Sequence, residues 1–431
     1  MKAAIAPASL SETSGPTARI TIPSVGIATA TAHNPNFADY VAAIPGIRSV
    51  FPDPNMRWSA DTANAAAMSF EAAAAISDTY DEYYLPLLWG HRAIDAFGAW
   101  DAGFRGSGVR VAVLDRGIAV NHPDLAGNLN ASLSRSFVPG EDVAADVSYY
   151  HFHHGTHVAG IIAAVDHSSG YGTVGVAPEA ELVAVRVVSE ETGIGQASWV
   201  LAGIVYAADI GADIINLSLG ATRRRSGYCD DNGTCLDAAD VAALFTATGR
   251  ATTYAHDRGV TIIASAGNAG RDGDKDKDWV TFPAGAPHVI SVSATAPFGV
   301  EVYPDANLDE PASYTNYGKS CIDFAAPGGD REYYDTDSVT TCWNGAWRRC
   351  YVYDLVISST TRGWWWASGT SMAAPYASGV AALIIERGGG TMDPAEVESQ
   401  LRRWSDDLGK PGKDAYYGAG RVNAARSVLQ E

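Results

Sequence analysis

The sequence predicts a three-layer α/β/α domain built on a mostly parallel central sheet. Two observations predict this fold: from residue 109 onward, strand-like segments alternate with helical patterns, and each strand-like segment is apolar along its length. Strands are apolar along their whole length when helices cover a parallel sheet on both faces. With 431 residues, the chain is long enough for one large domain of this kind and a smaller appended unit.

The predicted elements also indicate where a functional site should lie. Strands are predicted over 109–115, 181–188, 213–219, 260–266 and 289–294, and helices after His154, over 196–210 and 237–257, and after Thr370 and Asp393. In sheets of this kind the ligand site lies at the carboxyl ends of the strands. Asp115, Ser218 and Asn268 each lie at or just after such an end.

The N-terminal region predicts a separate and smaller unit. Residues 18–51 contain two strand-like runs, ARITI and IRSVF, on either side of the helical stretch FADYVAAI. An Ala- and Ser-rich stretch of low complexity follows, which is typical of a linker. We therefore divide the chain into an α+β unit over 1–55, a linker over 56–82 and a main domain over 83–431.

The charge balance argues against several classes of partner. The net charge is −19, whereas binding to nucleic acid or an anionic membrane requires clustered Lys and Arg. No apolar run approaches the roughly 20 residues of a membrane-spanning helix, and the first 15 residues lack the apolar core of a secretory signal. We expect a monomer with no nucleic-acid partner and no membrane insertion.

The five cysteines predict two disulfides. Cys229 and Cys235 form one close pair, Cys342 and Cys350 form another, and Cys321 is left over. Neither pair has a second Cys or His pair at zinc-binding spacing. Disulfides favour an oxidising compartment, so we expect a secreted or cell-surface protein. Five free thiols in a cytoplasmic protein is the alternative.

Three short motifs place a reactive side chain beside or near glycine. They are VAVLDRGI with Asp115, HHGTHVAG with His154, and SGTSMAAP with Ser371. A serine hydroxyl needs an adjacent base to become a nucleophile, and that base needs a buried carboxylate to orient it. Taken singly, the residues could be a turn carboxylate, a helix-start histidine and a helix N-cap. Taken together, they favour a catalytic triad in the order Asp, His, Ser.

These motifs resemble those of the subtilase family, and SAGNAG around Asn268 is a fourth match. The resemblance runs from about Trp89 to Val428 and implies a subtilisin-like serine endopeptidase that forms an acyl-enzyme and uses no catalytic cofactor. It implies that Ser371 is the nucleophile, His154 the base, Asp115 its orienting carboxylate, and Asn268 a donor to the oxyanion. His157 would then be a structural helix residue rather than a metal ligand.

The resemblance also implies residues that bind substrate and metal. A peptide would add as a strand to edges of the site, and the residues implied are Gly193, Ile194, Gly195, Ser218, Leu219 and Gly220, with Thr281 at the base of the pocket for the residue preceding the scissile bond. A structural calcium is expected at Asp124 and Asp166. A cis peptide bond is expected at Phe282-Pro283.

The N-terminal unit resembles the second half of a subtilase propeptide, particularly in ADYVAAIPGIRSVFPDP. Such a segment occupies the cleft until the enzyme cleaves it, and we expect that cleavage near residues 75 to 85. Insertions near 221–236 and 329–366 lengthen the main domain. The substrates and partners implied are therefore proteins or peptides and the chain's own N-terminal segment.

Two other functions are considered for this sequence. A sedolisin-like acid peptidase would share the fold and a serine motif but would use a glutamate where this chain has HHGTH. A catalytically silent peptide-binding protein with a blocked cleft would not need all three motifs. The insertions keep this second alternative open.

Overall fold

The computed structural model describes residues 17–32, 36–57, 67–69, 85–148, 152–167, 172–230, 232–300, 305–332, 341–343 and 347–430. The strands are β1 (Thr17–Ile22), β2 (Ile27–Thr31), β3 (Asn55–Arg57), β4 (Ala67–Ser69), β5 (Arg110–Asp115), β6 (Arg135–Ser136), β7 (Glu181–Arg186), β8 (Ile194–Gln196), β9 (Ile214–Leu217), β10 (Ala221–Arg224), β11 (Gly227–Cys229), β12 (Cys235–Asp237), β13 (Thr261–Ser265), β14 (Trp279–Phe282), β15 (Val289–Ala296), β16 (Glu310–Pro311), β17 (Phe324–Pro327), β18 (Thr341–Trp343), β19 (Trp347–Arg349), β20 (Val356–Ser359) and β21 (Gly363–Ala367). The α-helices are α1 (Phe37–Ala42), α2 (Trp89–Ala93), α3 (Ala96–Asp101), α4 (Pro123–Ala126), α5 (His154–Ala163), α6 (Ala197–Asp209), α7 (Ala238–His256), α8 (Thr370–Arg387), α9 (Pro394–Trp404) and α10 (Ala424–Leu429), and short 3-10 helices span Pro23–Val25, Leu85–Leu87 and Cys350–Asp354.

The central sheet confirms the predicted fold class. It has eight strands, seven of them in the order β16, β15, β13, β9, β5, β7, β6, and β17 also pairs with β15. The pairs from β17 through β15, β13, β9, β5 and β7 to β6 are parallel, whereas β16 runs antiparallel to β15 at one edge. The carboxyl ends of the parallel strands therefore meet along one rim.

Alternate residues of β5 enter two separate cores, which makes the three layers. Val111 and Val113 pack in a core with α5 and α8, whereas Ala112 and Leu114 pack in a core with α6 and α7. Successive side chains of a strand point to opposite faces, so an unbroken apolar run supplies both cores. Burial of each Val or Leu side chain contributes about 1.5–3 kcal/mol.

The N-terminal unit differs in part from its prediction. β1 pairs antiparallel with β2, and the predicted helix appears as α1. The prediction of a strand at IRSVF was wrong, because residues 47–51 have no strand conformation. β1 instead takes its partner from residues directly after Gly26, whose φ of 66° permits the tight turn between them.

Two short strands connect this region to the main domain. β3, at the predicted boundary between unit and linker, pairs antiparallel with β8, with Met56 opposite Gly195. β4, within the predicted linker, pairs antiparallel with β21, which ends shortly before α8. The predicted processing point near residues 75 to 85 falls almost wholly on residues 70–84, outside the described part of the chain.

Both predicted insertions contain a disulfide. Cys229 and Cys235 join β11 to β12, Cys342 is bonded to Cys350, and Cys321 is free and exposed. The expected cis peptide bond is present at Phe282-Pro283. Within the described ranges, no helix combines the length and apolar character needed to cross a membrane.

Candidate active site

The rim at the carboxyl ends of the strands brings the predicted catalytic residues into one region. Asp115 is the last residue of β5, and Asn268 follows β13 after a short turn. His154 is the first residue of α5 and Ser371 the second residue of α8, two helices that pack in the same core. Residues far apart along the chain therefore reach this rim because each ends a strand or begins a helix.

Asp115 and His154 form a buried pair. Their side chains are 3% and 6% exposed, and His154 Nδ1 lies 2.7 Å from Asp115 Oδ2. The Arg116 backbone N–H donates to the other oxygen, Oδ1, at 2.7 Å. Burial alone would raise the pKa of Asp115, but the charge and hydrogen bond of His154, with the Arg116 amide, lower it. The carboxylate is thus held ionised against Nδ1.

Gly155 lets α5 approach β5 closely enough for this contact. A Cβ at position 155 would collide with the Gly117 carbonyl oxygen and lie 3.1 Å from Asp115 Oδ1. The helix start is fixed by His153, whose Nδ1 accepts the Thr156 N–H at 3.2 Å. The HHGTH motif therefore supplies a cap, the candidate base and the glycine that the close packing requires.

Ser371 is not hydrogen-bonded to His154 in this structure. Its Oγ donates instead to the Ser218 carbonyl oxygen at 3.1 Å, and among the described residues His154 Nε2 has no hydrogen-bond partner. The structure thus joins Asp115 to His154 and leaves the serine hydroxyl turned away. Rotation about the Ser371 side-chain bond changes where Oγ points, and catalytic hydrogen bonds commonly tighten only when substrate binds.

Asn268 is oriented by the start of α8. Its Oδ1 accepts the Thr370 N–H at 2.9 Å and the Thr370 hydroxyl at 2.7 Å, so Nδ2 points away from these donors. A Cβ built on Gly369 would lie 3.4 Å from Asn268 Nδ2 and 3.6 Å from the Ser371 backbone nitrogen. The nitrogen atoms of two potential donors therefore lie near the same point beside Gly369, where an oxyanion site is expected.

A pocket of about 190 Å³ lies beside Ser371 and Asn268. Gly220 forms part of its wall, continuing from the buried Ser218 and Leu219 at the end of β9. Thr281 is paired with Thr222 across β10 and β14, and the two hydroxyl oxygens lie 3.1 Å apart. Its methyl group would lie 3.5 Å from a Cβ at Gly220, but the residues that line the pocket include Thr222 and not Thr281.

The second predicted substrate edge, Gly193 to Gly195, overlaps β8 and begins one residue before it. This edge already pairs with β3, which demonstrates that an antiparallel strand fits against it. Gly193 has a φ of 67°, and a Cβ there would lie 3.1 Å from Arg116 Nη2. The Arg116 guanidinium therefore lies beside this edge, a placement that the sequence did not predict because adjacent residues on a strand point in opposite directions.

Comparison with known proteins agrees with this geometry. The Peptidase_S8 model, described as the subtilase family, matches residues 106–420. The chain belongs to the subtilase family. Thermitase from Thermoactinomyces vulgaris is 32% identical over 348 residues, which cover 81% of this chain and 98% of thermitase. Relatives are named as serine proteinases, and this subtilase is a serine peptidase, as its motifs predicted.

Solved structures show the same fold. A lanthipeptide protease is 28% identical with a TM-score of 0.63, covering 81% of this subtilase and 96% of that chain. The epidermin leader peptide processing serine protease from Staphylococcus aureus is 21% identical with a TM-score of 0.75, covering 96% and 93% respectively. The subtilisin-like three-layer architecture is therefore established.

The residues of this subtilase that were predicted to bind calcium contact hydrogen-bond donors of the protein. Asp166 is ion-paired with Arg105. Asp124 Oδ2 accepts hydrogen bonds from the Thr173 hydroxyl, the Ser359 hydroxyl and the Trp364 indole at 3.0, 2.8 and 2.7 Å. Hydrogen-bond donors therefore occupy Oδ2, whereas among the described residues Asp124 Oδ1 is buried without a hydrogen-bond partner, with His167 Nε2 at 3.5 Å. Calcium at Asp124 and Asp166 stays a prediction.

The neighbouring histidines have structural contacts. His157 Nε2 lies 2.9 Å from the Trp365 carbonyl oxygen, and burial lowers the pKa of this histidine to about 3. His153 caps α5. In the part of the chain that the structure describes, no three His, Cys, Asp or Glu side chains are grouped as metal ligands.

Proposed function

We propose that this subtilase is an endopeptidase that cleaves internal peptide bonds through an acyl-enzyme, with Asp115, His154 and Ser371 as its catalytic triad. The observation that carries this proposal is the buried 2.7 Å contact between Asp115 and His154, at the same strand-end rim as Ser371 and the two donors beside Gly369. A carboxylate on Nδ1 fixes the imidazole tautomer that leaves Nε2 free to accept a proton.

The proposed reaction begins when Ser371 Oγ leaves the Ser218 carbonyl and turns to His154 Nε2. Oγ attacks the scissile carbonyl carbon while Nε2 takes its proton, and Asp115 stabilises the resulting imidazolium. The carbonyl oxygen becomes an oxyanion that accepts hydrogen bonds from Asn268 Nδ2 and the Ser371 amide. His154 returns the proton to the leaving amine, and water hydrolyses the acyl-enzyme by the same steps.

Substrate binding is proposed to occur by strand addition at β8 and at Ser218 to Gly220. The pairing of β3 with β8 supports this proposal, because a peptide in the same position would use the same backbone hydrogen bonds. We propose that Thr281 limits the size of the side chain bound beside Ser371 through its contact with Thr222, which lines the pocket.

The N-terminal segment is proposed to occupy the site until the enzyme cleaves it. Asp53 accepts the Ser198 N–H at 3.1 Å, near the start of α6, where the N-cap residue Gln196 provides no side-chain bond. β3 then continues along β8. A scissile bond should follow a few residues after such a strand, which favours cleavage within 58–66 over the earlier expectation of 75 to 85.

Secretion belongs to the same proposal. The disulfides at Cys229 and Cys342 support it, since disulfides persist in oxidising compartments. We propose that the protease acts as a monomer on extracellular proteins or peptides. The strong negative charge supports this proposal, because it favours solubility.

Substitution Ser371→Ala tests the proposed function. We expect loss of peptide hydrolysis, retention of the full-length chain and loss of covalent labelling by phenylmethylsulfonyl fluoride, read by mass spectrometry. Ser132→Ala, at an exposed serine, should behave as the unchanged enzyme. Hydrolysis or processing by Ser371→Ala would disprove the assignment, whereas labelling of a serine other than Ser371 would identify a different nucleophile.

A further inference from the structure

The loop closed by Cys229 and Cys235 reaches the strand that lies on β8. Asp230, within this loop, accepts the backbone N–H of Asn55 through Oδ2 at 3.1 Å. Asn55 is paired with Gln196, the last residue of β8. A carboxylate from the first insertion therefore contacts the main chain of β3 where the substrate edge ends.

The direction of the Asn55 N–H explains why β3 needs a hydrogen-bond acceptor in addition to β8. In an antiparallel pair, every second residue turns its N–H away from the neighbouring strand. The Ala197 N–H donates to the Pro54 carbonyl oxygen at 3.3 Å, so the adjacent residue Asn55 directs its own N–H away from β8. Asp230 supplies the acceptor on that side, and β3 is held between β8 and the loop.

Asp230 is held in position by hydrogen bonds within its own loop. Its Oδ1 accepts the backbone N–H groups of Asn232 and Thr234 at 3.0 and 2.8 Å, and its own N–H donates to the Thr234 carbonyl oxygen at 2.8 Å. The disulfide closes the same loop. One carboxylate oxygen thus organises the loop, which leaves the other available to the strand without further ordering.

We propose that Asp230 is a substrate-binding residue, which accepts the main-chain N–H of the peptide residue opposite Gln196. The inference rests on the proposed function, because it treats β3 as a stand-in for substrate on β8. The contact uses only the main chain, so any residue except proline can make it. It extends the site beyond β8 and favours peptides long enough to present this N–H.

A nested series of acetylated peptides tests the proposal. The peptides share the scissile sequence and grow by one residue at a time at the N terminus. We expect kcat/KM of the processed enzyme to rise by roughly 3- to 10-fold at the length that first presents the N–H to Asp230, as for one partly exposed hydrogen bond to a charged group. N-methylation of that single amide should remove the rise.

The matched variants are Asp230→Asn and Asp257→Asn. Asp230→Asn keeps the shape of the side chain. If the amide oxygen continues to hold the loop, the amide NH₂ faces the peptide N–H, and two donors cannot form a hydrogen bond. The increase in kcat/KM at this peptide length should therefore disappear. The second removes the same charge from an exposed position, with 67% of its side chain accessible, and should keep the rise. Thermal melting of both variants reports whether the fold is intact.

Each outcome decides the proposal. A rise that persists in Asp230→Asn, or that survives N-methylation in the unchanged enzyme, overturns it. An effect of Asp230→Asn on precursor processing without any change in the length profile would limit Asp230 to the N-terminal segment and would also overturn it. Failure of the proposed function is distinguishable, because phenylmethylsulfonyl fluoride would then leave Ser371 unlabelled and no peptide in the series would be cleaved.

Discussion

Two buried carboxylates, Asp115 and Asp124, face different surroundings within the same core. Both side chains are almost fully buried, at 3% and 0% exposure. Asp115 is held by an imidazole that can take up and release a proton, together with one backbone N–H. Asp124 Oδ2 receives hydrogen bonds from the Thr173 and Ser359 hydroxyls and the Trp364 indole, which do not titrate as acids or bases near neutral pH, and the His167 imidazole lies 3.5 Å from the other oxygen, Oδ1.

The groups around each buried carboxylate determine whether it stays ionised and whether it contributes to catalysis or to stability. Burial would raise the pKa of Asp124, but the neighbouring His167, the charge of His122, and the hydrogen bonds from Trp364 and Ser359 lower it. Asp124 therefore stays ionised and ties the second insertion to α4. Asp115 stays ionised too, but its partner His154 is held through Nδ1, which leaves Nε2 available for proton transfer. The first carboxylate is expected to serve catalysis and the second stability.

The largest expected effect is that of Asp115→Asn on activity. The amide cannot hold the required tautomer of His154, so kcat should fall by about 10⁴-fold with little change in thermal melting. Peptide hydrolysis and a melting curve measure the two quantities. Asp142→Asn, at an exposed carboxylate, serves as the control. A loss of activity under tenfold would contradict the catalytic role of Asp115.

Asp124→Asn should show the opposite pattern. The amide places two N–H groups beside the donors that surround Asp124 and removes the negative charge that those donors stabilise. The free energy of unfolding should therefore fall by about 3 kcal/mol. Denaturant unfolding measures it, in a Ser371→Ala background to prevent self-digestion. The kcat of the folded, Ser371-containing variant should remain within about threefold of the unchanged enzyme, since His154 keeps its partner.

The same variant tests the calcium prediction. If protein donors hold Asp124, its stability penalty should be equal in excess calcium and in EDTA. A penalty that appears in calcium and vanishes in EDTA would show that a cation binds at this carboxylate.

His91 extends the comparison to a buried group that must stay neutral. Burial lowers its pKa to about 3 from an ordinary 6.5. Below pH 6.5 the unfolded chain binds a proton at His91 that the folded chain does not, so stability falls as pH decreases. The slope should be about 1.4 kcal/mol per pH unit between roughly pH 6 and 3. His91→Gln should lose this part of the slope, and His288→Asn, at an exposed histidine, should keep it.

The sequence could predict features that depend on neighbours along the chain. Asp115 and Asn268 follow apolar strands directly, and His154 and Ser371 lie in motifs that begin helices, so their common rim followed from the fold class. The alternation of strands and helices likewise predicted the sheet. Such features are local, and the parallel topology then brings them together.

Contacts between distant segments were not predictable in this way. The Trp364 indole reaches Asp124 across 240 residues of chain, and Asp230 reaches Asn55 across 175, with no spacing rule to connect them. The strand expected at IRSVF failed for the same reason, because strand conformation depends on a partner that the segment itself does not supply.

The conformation of Gly369 restricts how the enzyme can vary. Its φ of 153° is one that residues with a Cβ rarely adopt, and a Cβ there would lie 3.4 Å from the Asn268 side-chain nitrogen and 3.6 Å from the Ser371 backbone nitrogen. In a saturation library sorted for hydrolysis, glycine alone should survive at this codon. The same library sorted only for soluble expression should admit small residues at this position. Comparison of the two selections would show whether glycine is required for folding or for hydrolysis.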